Sequence, residues 1–166
     1  MNISGRQLHD SDIVTATREA LAASGVDARA VVLEITESVL MQQTDAALER
    51  LRELKALGVQ LAIDDFGTGY SSLGYLRRFP IDILKIAKPF VDDVAGGPEH
   101  TELARAIIGL GETLKLRTIA EGVELAEQRA ALVELGCELG QGHYFAPALP
   151  AEGLHALLAA PARAVA

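Results

Sequence analysis

Asp64 and Asp65 stand side by side at the end of an apolar run, Val59-Gln60-Leu61-Ala62-Ile63, ahead of a glycine-spaced turn. Two adjacent carboxylates delivered by a buried strand are costly unless a cation, a hydrogen-bond network or water compensates them, and a divalent metal ion does so most economically. The plainer alternative is that the pair opens a turn or caps the helical stretch that follows. Polar residues recur at comparable places along the chain. Asn2, Glu34, Lys85, Glu121 and Gln141 each fall at or near the C-terminal end of a short run that reads as a strand.

Alternating strands and helices would bring those ends together. Strand patterns cover Met1–Ser4, Ala30–Thr36, Val59–Asp64, Ile83–Ala87, Arg117–Glu121 and Glu138–Gly140. Between and after them, Ser11–Ser24, Asp45–Leu57, Ser71–Arg78, Glu99–Leu114, Leu125–Leu135 and Ala151–Leu158 read as helices. In Asp45–Leu57 the apolar residues Ala47, Leu48, Leu51, Leu54 and Leu57 form one stripe, and Gly58 stops the helix. Asp10 or Ser11 is the expected cap of the Ser11–Ser24 helix.

Strands apolar on both faces and separated by helices form a parallel sheet covered by helices, either doubly wound or closed as a barrel. A barrel gathers all the strand ends around one mouth, whereas a flat sheet spreads them along a line. The expected fold class is therefore α/β, an incomplete TIM-like (βα) barrel with about six of its strands present. A closed eight-fold barrel takes about 250 residues, so roughly two βα units are missing.

The bulk properties narrow the partners. The chain has 166 residues, 49% of them hydrophobic, enough for one domain with a substantial core. Its net charge of -8 and pI near 5.0, with Arg77-Arg78 the lone adjacent basic pair, argue against a nucleic-acid polymer as partner. A small phosphorylated ligand escorted by metal ions remains compatible. Cys137 is the single cysteine, so no intrachain disulfide forms, and no apolar run is long enough for direct membrane insertion. A start of Met-Asn-Ile-Ser-Gly-Arg-Gln lacks the apolar core of a secretory signal, and a cytoplasmic setting is expected.

Met1-Asn2-Ile3-Ser4, Leu33-Glu34-Ile35-Thr36-Glu37-Ser38, Asp64-Asp65-Phe66-Gly67-Thr68-Gly69-Tyr70-Ser71-Ser72-Leu73, Leu84-Lys85-Ile86, Ala120-Glu121-Gly122-Val123-Glu124 and Gly140-Gln141-Gly142 occur in this order. Together they resemble the EAL-domain phosphodiesterases of bacterial cyclic dimeric GMP signalling. The resemblance implies a modified βα barrel that holds one or two Mg²⁺ or Mn²⁺ ions and opens cyclic di-GMP to linear pGpG. It implies Asn2, Glu34 and Asp64 as metal ligands, with Asp65 and Glu121 completing the second metal or its water. Lys85 and Glu121 would be catalytic, Gln141 would lie near the ligand, and Glu37 would tie down the Phe66–Ser72 loop, a region that the resemblance links to homodimer contacts. Hard oxygen donors suit these ions, and a lysine adds positive charge where phosphoryl charge develops.

Two departures bear on activity. The family's N-terminal part, with the Glu-Ala-Leu signature that supplies a further metal-ligating glutamate, is not among these residues, and Ala87 stands where the family usually has aspartate. The chain is therefore expected to be part of such an enzyme, through a misplaced start, a fragment or a decayed gene, and to be inactive alone. Residues 1–159 would form the partial domain and 160–166 a tail. The alternative is a degenerate EAL module that binds cyclic di-GMP or a protein partner without catalysis.

Overall fold

The computed structural model describes residues 1–10, 12–41, 44–69 and 76–159, less the side chains of residues 98–100 and 158. Its centre is a parallel sheet in sequential order: β1 (Val32–Thr36), β2 (Gln60–Phe66), β3 (Ile83–Ile86), β4 (Arg117–Glu121) and β5 (Leu139–Gln141). Parallel neighbours need crossovers, and helices supply them. The helices are α1 (Gly5–His9), α2 (Ile13–Ser24), α3 (Glu37–Met41), α4 (Asp45–Ala56), α5 (Lys88–Asp92), α6 (Pro98–Leu114), α7 (Ala126–Glu134) and α8 (Ala151–Ala159). The helix expected over Ser71–Arg78 and the tail 160–166 fall mainly or wholly outside the described residues.

The central strands are the driest. Leu61, Ala62 and Ile63 of β2 are wholly buried, as are Leu84 and Ile86 of β3, because each strand is paired on both sides and covered on both faces. Ala47, Leu48, Leu51 and Leu54 place the apolar stripe of α4 in the same core, while Leu57 packs at its margin. All three residues of β5 are exposed, as befits the edge. Among the described residues no helix is long and apolar enough to cross a membrane.

The sixth expected strand is reduced to one parallel bridge between Asn2 and Glu34, with Ile3 N–H donating to Glu34 O at 2.8 Å and Glu34 N–H to Met1 O at 2.8 Å. The reason is local. Ser4 caps α1 through its hydroxyl, which accepts from Gln7 N–H at 3.2 Å, while the Gln7 side chain accepts from Ser4 N–H at 3.0 Å. This Ser-x-x-Gln capping box turns the chain into a helix before a strand can extend. Of the two expected caps of α2, Ser11 lies outside the described residues, and Asp10 acts one step removed: Asp12 occupies the cap position, its N–H donating to the Asp10 carboxylate at 3.1 Å.

Candidate metal and phosphodiester site

The parallel register carries five charged side chains to the same end of the sheet. Glu34 comes from β1, Asp64 and Asp65 from β2, Lys85 from β3 and Glu121 from β4. Lys85 is the centre of the group. Its Nζ lies 3.0 Å from Glu34 Oε2, 2.9 Å from Asp64 Oδ1 and 2.5 Å from Glu121 Oε1, and the residue is only 3% exposed. Burial disfavours the ammonium, but the carboxylates of Glu121, Asp64 and Glu34 close around it outweigh that cost and hold the Lys85 pKa above the ordinary lysine value. Burial also raises the Glu121 pKa, an effect the nearby Lys85 charge opposes and the Asp64 charge reinforces.

Asp65 reaches the site through a break in strand alternation. Ile63 pairs with Leu84 and Phe66 with Ile86, so three steps along β2 oppose two along β3. Asp65 takes up the extra residue in the left-handed region at φ 54°. Regular pleating would send adjacent side chains to opposite faces, whereas a bulge re-aims one of them. One carboxylate oxygen from each of Asp64, Asp65 and Glu121 consequently lies within 4.8 Å of the others.

The remaining expected residues surround this group. Asn2 is exposed and joins β1 beside Glu34 through its backbone. Gln141 is exposed on β5, in register with Glu121. Glu37, only 2% exposed, stands apart at the β2 loop, where its Oε2 accepts from Gly67 N–H at 2.8 Å and Gly69 N–H at 3.3 Å. A Cβ on Gly69 would lie 2.8 Å from Glu37 Oε1, so the missing side chain permits this close approach. Glu37→Ala is expected to lose about 2 kcal/mol of urea-measured stability by stranding those two donors. A change below about 0.5 kcal/mol, the range of ordinary surface substitutions, would contradict that role.

Sequence reasoning overlooked Lys88. Lys88 Nζ pairs with Asp92 at 2.6 Å and Glu124 at 3.1 Å, while its stem crosses Gly122 so closely that a Cβ there would meet Lys88 Cγ at 2.7 Å. This contact braces the turn immediately after Glu121. The available signal was Lys-Pro at a helix start with aspartate four residues on. Ala87 closes β3 with extended backbone and is fully buried. The literal tripeptide Glu19-Ala20-Leu21 also occurs, but within the helix α2, with Glu19 exposed, and not at a strand end.

The donor set fits a divalent cation. Four carboxylates less one ammonium leave a formal charge of about -3 when all are ionised. The buried Asp64 Oδ1, although 2.9 Å from Lys85 Nζ, receives no hydrogen bond of acceptable angle. An under-satisfied buried oxygen amid excess negative charge is the setting that hard cations such as Mg²⁺ and Mn²⁺ complement.

A partial parallel βα barrel with carboxylates and a lysine at its strand ends defines the class: a barrel domain with a candidate metal site at the strand ends. The family model described as the EAL domain matches residues 1–148, and the chain belongs to that family. It is 43% identical over 160 residues to the cyclic di-GMP phosphodiesterase NbdA of Pseudomonas aeruginosa, covering 96% of this chain and 20% of that protein. The solved complex of PaMucR phosphodiesterase with cyclic di-GMP superposes with a TM-score of 0.86 at 42% identity, over 92% of this chain and 62% of that one. The manganese and cyclic di-GMP complex of Klebsiella pneumoniae BlrP1 gives a TM-score of 0.79 at 32% identity, over 87% of this chain and 37% of that one. The chain spans about a fifth of the length of the curated relatives it matches.

Proposed function

We propose that this chain is the metal-site portion of a bacterial, cytoplasmic cyclic di-GMP phosphodiesterase, its domain extending over residues 1–159, and that it is inactive without the segment bearing the Glu-Ala-Leu signature. The observation that carries the reading is the convergence of Glu34, Asp64 and Glu121 on Lys85, with Asp65 alongside. Glu34, Asp64, Asp65 and Glu121 would hold one or two Mg²⁺ or Mn²⁺ ions, with Asn2 completing the donors. Such ions supply charge that stabilises the attacking and leaving oxygens of a phosphodiester displacement.

The protein's own groups contribute charge and orientation. Lys85 keeps its proton, so Nζ presents a fixed positive charge near the place where phosphoryl charge would develop. Glu121, whose proton affinity is raised by burial, is suited to accept a proton from an attacking water. The exposed Gln141 offers an amide at the rim for nucleotide contact. Glu37 fixes the loop at Gly67 and Gly69, beside a groove of about 500 Å³ that includes Phe90, Leu103 and Ile107 and would receive a second copy.

The test is Mg²⁺- or Mn²⁺-dependent turnover of cyclic di-GMP by a longer chain that includes the Glu-Ala-Leu segment, with pGpG as product. No turnover there would overturn the hydrolytic reading. In the 166-residue chain, Mn²⁺ at one hundred times its dissociation constant should add about 2.7 kcal/mol of stability, and Asp64→Asn should abolish that gain. Undiminished Mn²⁺ stabilisation of the variant would remove Asp64 from the ligand set.

Ala87, fully buried where the family resemblance leads one to expect an aspartate, favours a second reading, a degenerate module that binds without catalysis. Calorimetry with cyclic di-GMP separates the two: binding by the longer chain without hydrolysis supports the module.

A further inference from the structure

Lys85 and the candidate metal triad draw on the same oxygen donors. Asp64 and Glu121 each pair with Lys85 Nζ, and they are also two of the three residues that bring carboxylate oxygens within 4.8 Å of one another. Asp65, the third, is exposed and is not among the carboxylates paired with Lys85. From this sharing we infer that Lys85 is a tethered cation that competes with a divalent ion for Asp64 and Glu121, and so sets the affinity of the site for metal. The inference rests on the metal-site reading above.

The competition follows from elementary electrostatics. Each N–H of an ammonium directed at a carboxylate uses electron density that a metal ion would otherwise take. An ammonium and a divalent ion a few ångströms apart also repel strongly in a site shielded from bulk water. Lys85 has little freedom to withdraw, because its backbone lies in β3 between the wholly buried Leu84 and Ile86. Only its side-chain stem can turn aside, while the exposed Asp65 leaves one side of the triad open to an arriving ion.

Replacing Lys85 with a neutral residue has two opposed consequences. The carboxylates lose a shared anchor, yet the formal charge of the site goes from about -3 to about -4 with all groups ionised. Strands β1, β2 and β4 still hold the ligands in register, so the gain in negative charge prevails for cation binding. A larger cationic head, as in Lys85→Arg, keeps the competition.

The experiment is a titration of the 166-residue chain with Mn²⁺ at about pH 8, where carboxylates are ionised, following the paramagnetic resonance of free Mn²⁺. Lys85→Met should bind at least about tenfold more tightly than the unaltered chain, and Lys85→Arg within about threefold of it. Equal or weaker binding by Lys85→Met, with the unaltered chain binding normally, overturns the inference and leaves the metal reading intact. No binding by any of the three chains overturns both. Should Lys85→Met be unfolded without metal, folding on addition of Mn²⁺ but not of NaCl at equal ionic strength supports the inference, and failure to fold with Mn²⁺ overturns it.

Discussion

Lys85→Met lowers the stability of the metal-free chain by about 3 kcal/mol, the lower end of the cost of removing one partner from a buried ion pair. The ammonium stands within 3.0 Å of three carboxylates, and among the described residues no second cation pairs with Glu34, Asp64 or Glu121. Their side chains are 15% to 22% exposed, so water recovers part of the loss and keeps the effect from the top of the range. Urea denaturation at neutral pH reads the change directly, and a difference below about 0.5 kcal/mol would show that the ion pairs contribute nothing net. The pH dependence follows from the sign of the shift. Because folding raises the Lys85 pKa, its contribution is fully present below the ordinary lysine value of about 10.4 and is lost as pH rises through the folded value. Glu121 is also raised, so its own advantage lies below about pH 4.3, the unfolded value, and has gone once pH passes its folded pKa.

Gly142→Ala costs about 4 kcal/mol and strips protection from the β4–β5 end of the sheet. A Cβ at this position would lie 2.1 Å from Val123 O, 2.4 Å from Val123 N and 2.7 Å from Val123 C. All three are backbone atoms, so no side-chain rotation relieves the clash. Val123 cannot retreat cheaply, since its N–H donates to Gln141 O at 3.0 Å and its carbonyl accepts from Tyr144 N–H at 3.0 Å. The chain therefore relieves the contact by detaching β5, taking Gln141 away from Glu121. Amide hydrogen exchange at Val123 and Tyr144 checks this. Unchanged protection at both, with an unchanged urea midpoint, would refute it.

Local pattern was sufficient wherever local energetics decide. Arg117–Glu121 has the same limits in the structure as in the sequence reading, because a β-branched and aliphatic run between helical patterns has few alternatives. The α4 stripe emerged for a similar reason: three-and-four spacing of Ala47, Leu48, Leu51 and Leu54 leaves one face to bury. Elements at the termini of strands were harder. Helices α1, α3 and α5 have five residues each, too short for periodicity to reveal, and they depend on capping or tertiary packing. Lys88 escaped notice because its role combines a partner four residues away with one across the fold on Glu124.

The sequence by itself determined the family, the parallel βα order and the polar residues at successive strand ends, since all of these are written in short contiguous motifs. Only the tertiary structure decided that Glu34, Asp64 and Glu121 meet on one ammonium, and that Asp65 joins two of them. The first depends on the register of four neighbouring strands. The second depends on one bulged residue in β2, which overrides the two-residue alternation that a sequence pattern assumes.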